Sequence, residues 1–291
     1  MNAGGSFILD DSVVRDNWVG GVYNRSVMTI TRSLIENNFA GGSYFILGGG
    51  IVNSGMLTVY STTIRNNTAD YSRGAGGGIW NSQYGTLHLN SSAIVDNRAL
   101  VGLGLYNSGT AIITNTTFGG NQSLGGMDIG AIFNDGTLTM TNATVAGNFG
   151  GINTTITTSL WMKNTLVANN GSLNCEGGIT SLGHNLDSGN TCNFSSPGDL
   201  TNTNPLLASL ADYGGGTPTY ALLDHSPAID AGDNAGCPVT DQRGYPRPQG
   251  AACDIGAYER PGRVFLPLVL HSADSPTDLR EPDRSEGDVA R

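Results

Sequence analysis

Apolar and polar positions along this chain repeat as blocks rather than as helical stripes. An apolar residue followed three positions later by asparagine occurs seven times. The anchors are Val14, Ile35, Ile64, Ile94, Phe118, Val145 and Val167, with Asn17, Asn38, Asn67, Asn97, Asn121, Asn148 and Asn170. Seven positions before each anchor stand Phe7, Met28, Leu57, Leu87, Ala111, Leu138 and Leu160. Five before stand Leu9, Ile30, Val59, Leu89, Ile113, Met140 and Met162. Two before stand Ser12, Ser33, Thr62, Ser92, Thr116, Ala143 and Thr165. Residues two apart on a strand share a face, so the two columns before the anchor predict short strands turned to a common interior. A glycine-rich motif ending in Asn leads several rows, at 20–24, 49–53 and 77–81, with shorter versions ending at Asn107 and Asn134. Glycine suits corners that need φ > 0, and asparagine tolerates such bends. Stacked Asn side chains can form hydrogen-bonded ladders. Fixed columns with variable spacing place insertions in one loop per coil, as at 39–47 and 68–75. The pattern predicts an all-β solenoid, a parallel β-helix of about seven coils over residues 1–171.

Composition sharpens this picture. There are 43 glycines, 28 asparagines and one lysine, Lys163, and charged residues are 13%, about half the usual quarter. Outward columns are therefore mainly Thr, Ser and Asn. The late apolar run at 264–270 is interrupted by Pro267, and a membrane-spanning helix needs about 20 residues, so no membrane span is expected. The net charge of −10 is uneven. Residues 1–171 carry 8 acidic and 7 basic residues, 172–271 carry 10 and 4, and the last twenty carry 6 and 3. No basic stripe exists, which argues against nucleic acid as a partner. A monomer is expected.

All four cysteines lie late: Cys175, Cys192, Cys237 and Cys253. Four allow three pairings. The sequential one closes two loops of about 17 residues, each contributing roughly 3 kcal/mol in the chain-entropy model. No CxxC occurs, so a zinc site is not expected. The reading is two disulfides in an oxidising compartment; the alternative is four reduced, buried thiols. Met1 is not followed by a signal sequence, and Asn2-Ala3-Gly4 matches the end of the glycine-rich motif. The expectation is therefore an N-terminally truncated chain whose signal peptide, with further coils or a cap, lies upstream.

The Gly-Gly-x-apolar and apolar-x-x-Asn pair resembles the repeats of polymorphic outer membrane proteins, which are surface β-helix adhesins. That resemblance implies a right-handed parallel β-helix of the pectin-lyase-like class. Residues 172–260 resemble a choice-of-anchor Q domain, which closes many exported bacterial β-helix proteins. The motifs run in order: Ser181-Leu182-Gly183-His184-Asn185-Leu186, Asn204-Pro205-Leu206-Leu207, Ser226-Pro227-Ala228-Ile229-Asp230-Ala231-Gly232, Asp241-Gln242-Arg243-Gly244 and Asp254-Ile255-Gly256-Ala257-Tyr258-Glu259. Asn204 and Tyr220 depart from the residues expected there. The resemblance implies an extracellular or cell-surface location and carries over no catalytic residue. Residues 261–291 read as a short apolar segment followed by a disordered acidic tail.

Candidate chemistry is sparse. Glycoside hydrolysis needs two carboxyls about 5–5.5 or 6.5–9.5 Å apart. Asp16 and Asp96 share a column but lie three coils apart, and Glu36 is expected between Arg15 and Arg65 on an exposed corner. Asp128 and Asp135 could meet across a loop. Lys163 and His88 fall in outward columns and read as solvated side chains. No catalytic residue is assigned. In the late region, Asp230 and Asp233 supply hard oxygen ligands suited to calcium; no other cofactor is expected. The competing reading is a salt-bridged closure of the last coil by Asp230, Asp241, Arg243, Arg247, Asp254 and Glu259, with Arg243 and Arg247 pairing Asp230, Asp254 or Glu259. Tyr23, Trp80, Tyr106 and Phe133 share the column just before the corner Asn, read as four consecutive coils. If outward they form a strip on which sugars could stack; if inward, an aromatic core. The sequence thus predicts a non-enzymatic surface stalk or adhesin-like module contacting polysaccharide or another cell surface. The alternative is a polysaccharide lyase, a glycoside hydrolase or a dedicated glycan-binding module.

Overall fold

A computed structural model describes residues 5–41, 47–70, 74–126, 129–155, 158–171 and 173–262. Among them there is no helix, and every pairing between strands is parallel. The coils are built from strands of two, three and five residues stacked on their equivalents one coil away, in four sheets. The first sheet contains Val22–Asn24, Ile51–Asn53, Ile79–Asn81, Leu105–Asn107, Ile132–Asn134, Ile152–Thr154 and Cys175–Glu176. The second holds the five-residue strands, from Ser6–Asp10 to Ser159–Lys163, and ends on Thr180–Ser181. The third carries the anchors, from Val13–Arg15 to Leu166–Ala168, and ends on Leu186–Asp187. The fourth is Phe39–Ala40, Thr68–Ala69, Arg98–Ala99 and Gln122–Ser123.

The register is the one the columns imply. Phe7 pairs with Met28, Met28 with Leu57, and so on to Leu138 with Leu160. Val14 pairs with Ile35, and the anchors continue in step to Val167. From Met28 onward these columns are buried and form one continuous core. Among the described residues four coils carry a strand in the fourth sheet and the others show three sides, so full four-sided coils are fewer than the seven expected. At the first rung, Phe7 is 50% and Val13 58% exposed. Residues 1–4, on which an N-terminal cap would depend, lie outside the described residues.

Two asparagine ladders hold the corners. From Asn17 to Asn38, Asn67, Asn97, Asn121, Asn148, Asn170 and Asn174, each Nδ2 donates to the next Oδ1 at 2.7–3.2 Å. The same Oδ1 accepts a backbone N–H from the preceding rung. The second Nδ2 proton goes back to the carbonyl of the previous coil's anchor, as from Asn97 to Ile64. A buried amide that makes all its bonds avoids the cost of about 1–3 kcal/mol for each unmet polar group. Asn24, Asn53, Asn81, Asn107 and Asn134 form the second ladder at 2.7–2.8 Å. The hydroxyl column has the same logic: Ser33, Thr62 and Ser92 each accept a backbone N–H from the rung before.

Glycine holds the corner that leads the first sheet, with Gly48, Gly76 and Gly102 at positive φ, but it is not the general corner residue. Asp16, Asn37, Asn66, Asp96 and Asn169 share a positive-φ column with Gly120 and Gly147. A second column of positive φ contains Asp11, Arg32, Ser61, Ser91, Asn115, Asn142 and Asn164. In-register bonds, such as Ser61 N–H to the Asn90 carbonyl, hold these residues in a conformation that side chains disfavour.

Candidate functional site

The aromatic column faces out. In the first sheet, Ile79 and Asn81 flank Trp80 and are fully buried, whereas Trp80 is half-buried. Tyr106 and Phe133 alternate in the same way. Register makes the column Tyr23, Val52, Trp80, Tyr106, Phe133, Asn153 and Glu176. The four aromatics are therefore not consecutive, because Val52 stands between Tyr23 and Trp80. The Tyr106 and Phe133 rings lie 5.0 Å apart at 26° and so cover part of each other's faces. Burial and nearby Asp135 raise the Tyr106 phenol above its ordinary value. Arg25 sits 4.9 Å over the Tyr23 ring and donates to its hydroxyl at 3.0 Å. A cleft of about 610 Å3 opens around the Val52 position; its lining includes Tyr23, Val52, Ser54, Trp80, Ser82 and Tyr84, and none of its described residues is charged.

The cysteines pair sequentially, Cys175 with Cys192 and Cys237 with Cys253, across Cα separations of 4.7 and 6.7 Å. This arrangement is compatible with an extracellular protein.

The late acids and arginines lie on a segment that runs back over the coils. After Leu186 one further partial turn forms, with Leu200 bridged to Leu186. The chain then crosses the outer side of the third sheet as a strap. Thr117 Oγ1 bonds Thr219 at 2.8 Å and Gln242 at 2.6 Å. Tyr220 Oη donates to the Ala146 carbonyl at 3.0 Å, and Thr144 Oγ1 accepts the Ala257 N–H at 2.9 Å. Asn164 exchanges two bonds with the Asp233 backbone. Leu166, Ala168 and Leu186 join Ala221, Leu222, Ala228, Ile255 and Tyr258 in a second apolar core beneath the strap.

Within the strap, Arg243 grips Asp241 at 2.7 Å and Arg247 grips Glu259 at 2.9 Å, all essentially buried. Arg243 thus pairs Asp241 rather than the three acids expected, and Tyr258 stacks on its guanidinium at 3.7 Å. Asp254 accepts the Asp230 and Arg260 backbone N–H groups. Burial pushes its carboxyl up to about 7. Asp230 accepts the Ala252 N–H and faces no arginine in these pairs.

Asp233, the other calcium candidate, bonds Lys163 at 2.7 Å. The Lys163 hydrogen bond holds its carboxyl below the usual range. Among the described residues no group of three or more His, Cys, Asp or Glu side chains is placed to hold a metal. Lys163 is correspondingly not a solvated lysine: its pairing with Asp233 of the strap leaves its side chain 23% exposed. Glu36 is buried rather than on an exposed corner, and both Arg65 nitrogens, Nε and Nη2, donate to it. Asp135 accepts the Thr155 hydroxyl. Asp128 lies outside the described residues. His88 is exposed, as its column implies.

The strap was the element the columns did not announce. One signal was present. The third sheet's outward column reads Arg15, Glu36, Arg65, then Val95, Gly119, Ala146 and Ala168. Its loss of charge marks where the strap lies. Among the described residues no helix is long and apolar enough to cross a membrane. Searches against protein-family models, curated proteins and solved structures found no match.

Proposed function

We propose that this chain is a non-enzymatic, exported or cell-surface module, a rigid β-helical stalk that contacts polysaccharide. The observation that carries the reading is the outward aromatic column of the first sheet, with a cleft between Tyr23 and Trp80 whose described lining residues are uncharged. Rigidity supports it, because in-register backbone pairing and two asparagine ladders fix the backbone that carries these side chains before any ligand arrives, and a preorganised surface loses less entropy on binding. Two cysteine pairs at bonding positions fit export. The resemblance to polymorphic outer membrane protein repeats and to a choice-of-anchor Q domain belongs to this proposal, as does a pectin-lyase-like ancestry. In it, the strap is the anchor-type domain docked on the side of the stalk. The test is a glycan array paired with a reducing-end assay on uronic-acid polysaccharides. Binding without turnover is expected; turnover would replace this reading with a lyase or hydrolase.

A further inference from the structure

The interruption of the aromatic column has a chemical consequence. Tyr23 and Trp80 stand two rungs apart with Val52 between them in register. Rungs are spaced ~4.8 Å, so the two rings are rooted ~9.6 Å apart. Aromatic contact places ring centroids about 4.5–7 Å apart, and one ring inserted midway would touch both walls. Val52, 8% exposed, is the floor. Tyr106 and Phe133, on adjacent rungs, leave no such gap and stack on each other instead. Around the opening stand Ser54, Ser82 and Tyr84, the last 77% exposed. Arg25 bonds the Tyr23 hydroxyl beside the cleft, but none of the described lining residues is charged, and their hydroxyls suit a ligand that is itself neutral and hydroxylated.

We propose that the gap at Val52 is a slot for one sugar ring of a neutral polysaccharide, held between Tyr23 and Trp80 with its hydroxyls toward Ser54, Ser82 and Tyr84. This rests on the glycan-contact reading and gives it a place and a ligand class. It differs from a continuous stacking strip in one testable way, because filling the gap should destroy a slot and extend a strip. The experiment is affinity gel electrophoresis of the full chain in soluble β-glucan, xylan and mannan, with polygalacturonate as the charged comparison. Trp80→Ala and Val52→Phe are run beside the parent; the same column already accepts Phe133, so the second variant is compatible with the sheet. Retardation by at least one neutral polymer, weakened tenfold or more by either substitution, is expected. Retained or stronger binding by Val52→Phe, with loss in Trp80→Ala, would overturn the slot and leave the strip. Tighter binding of polygalacturonate through Trp80 would overturn the neutral ligand. Binding by no polymer, or binding indifferent to Trp80, would remove this face from the glycan reading altogether.

Discussion

The third sheet contains two regions that share a backbone and differ in what covers them. At Val13–Arg15, Leu34–Glu36 and Thr63–Arg65 the outward side chains after the anchors are charged, and Arg15 and Arg65 remain well exposed. At Thr117–Gly119, Thr144–Ala146 and Leu166–Ala168 the same column is glycine and alanine, buried under the strap. Strand length, pairing and the inward anchor are alike in both. What differs between the bare face and the interface is the outward side chains: a packed contact needs small or apolar surface, desolvating an arginine costs several kcal/mol, and under the strap Thr117 and Thr144 add hydroxyls that bond it. The inward columns make the solenoid, and the outward ones select its attachments.

The largest effect should come from the strap's own lock. Arg247 is buried against Glu259 and also donates to the carbonyls of Asp254 and Gly256. Arg247→Ala would leave buried carboxylates without their cation, at a cost of about 3–5 kcal/mol. Hydrogen exchange should show the strap amides, including that of Ala257, losing protection while those of Asn67, Asn97 and Asn121 keep theirs. Equal loss in both would mean that strap and coils are one cooperative unit, and the two regions would not differ as argued.

Acidity gives a second handle on the same lock. Three carboxylates, Asp241, Asp254 and Glu259, face two guanidinium groups, Arg243 and Arg247, so one acid lacks a full countercharge. Burial raises Asp254 from 3.8 to about 7. Between those values the unfolded chain has released this proton and the folded chain still holds it, so stability falls as pH rises from about 4 to about 7 and then levels. One pKa unit corresponds to about 1.4 kcal/mol, which sets the decline on the order of 4 kcal/mol. Asp212 and Asp233 are shifted the other way, by glycine N–H groups and by Lys163; their contribution is lost only below about pH 4. Chemical denaturation at stepped pH should show the decline in the parent and a flat response in Asp254→Asn. A decline that persists in the variant would place the proton elsewhere.

The legibility of the molecule divides along the same line. The register of the second and third sheets could be read from the sequence because each column repeats its chemistry at every coil, as from Met28 to Leu160. The Asn17 to Asn170 ladder followed from the same repetition. The strap could not be read so, because it has no period and its contacts are remote: Gln242 meets Thr117 across 125 residues. For that reason the sequence pattern places Lys163 in solvent and does not reveal that Arg243 pairs with Asp241. The outward direction of Trp80 was undecided by alternation alone, since the next residue, Asn81, is polar yet turned inward. Its asparagine ladder makes a polar side chain an interior one, against the ordinary rule.

The finest test puts one residue into both regions. Valine at the outward position is compatible with this sheet, since Val95 occupies it with 2% exposure. Under the strap, a Cβ added at Gly119 would meet the Tyr220 hydroxyl at 2.9 Å and its ring at 3.0 Å. Gly119→Val should therefore push Tyr220 away from the Ala146 carbonyl and cost about 1–3 kcal/mol, as overpacking does. Arg15→Val, in the same column on a bare rung, removes only an exposed ion pair with Asp16 at 3.7 Å and should change stability by no more than about 0.5 kcal/mol. Denaturant midpoints of the two variants measure the contrast directly. If Arg15→Val is as damaging as Gly119→Val, the outward column matters to the coils themselves, and its residues do not merely mark where the strap lies.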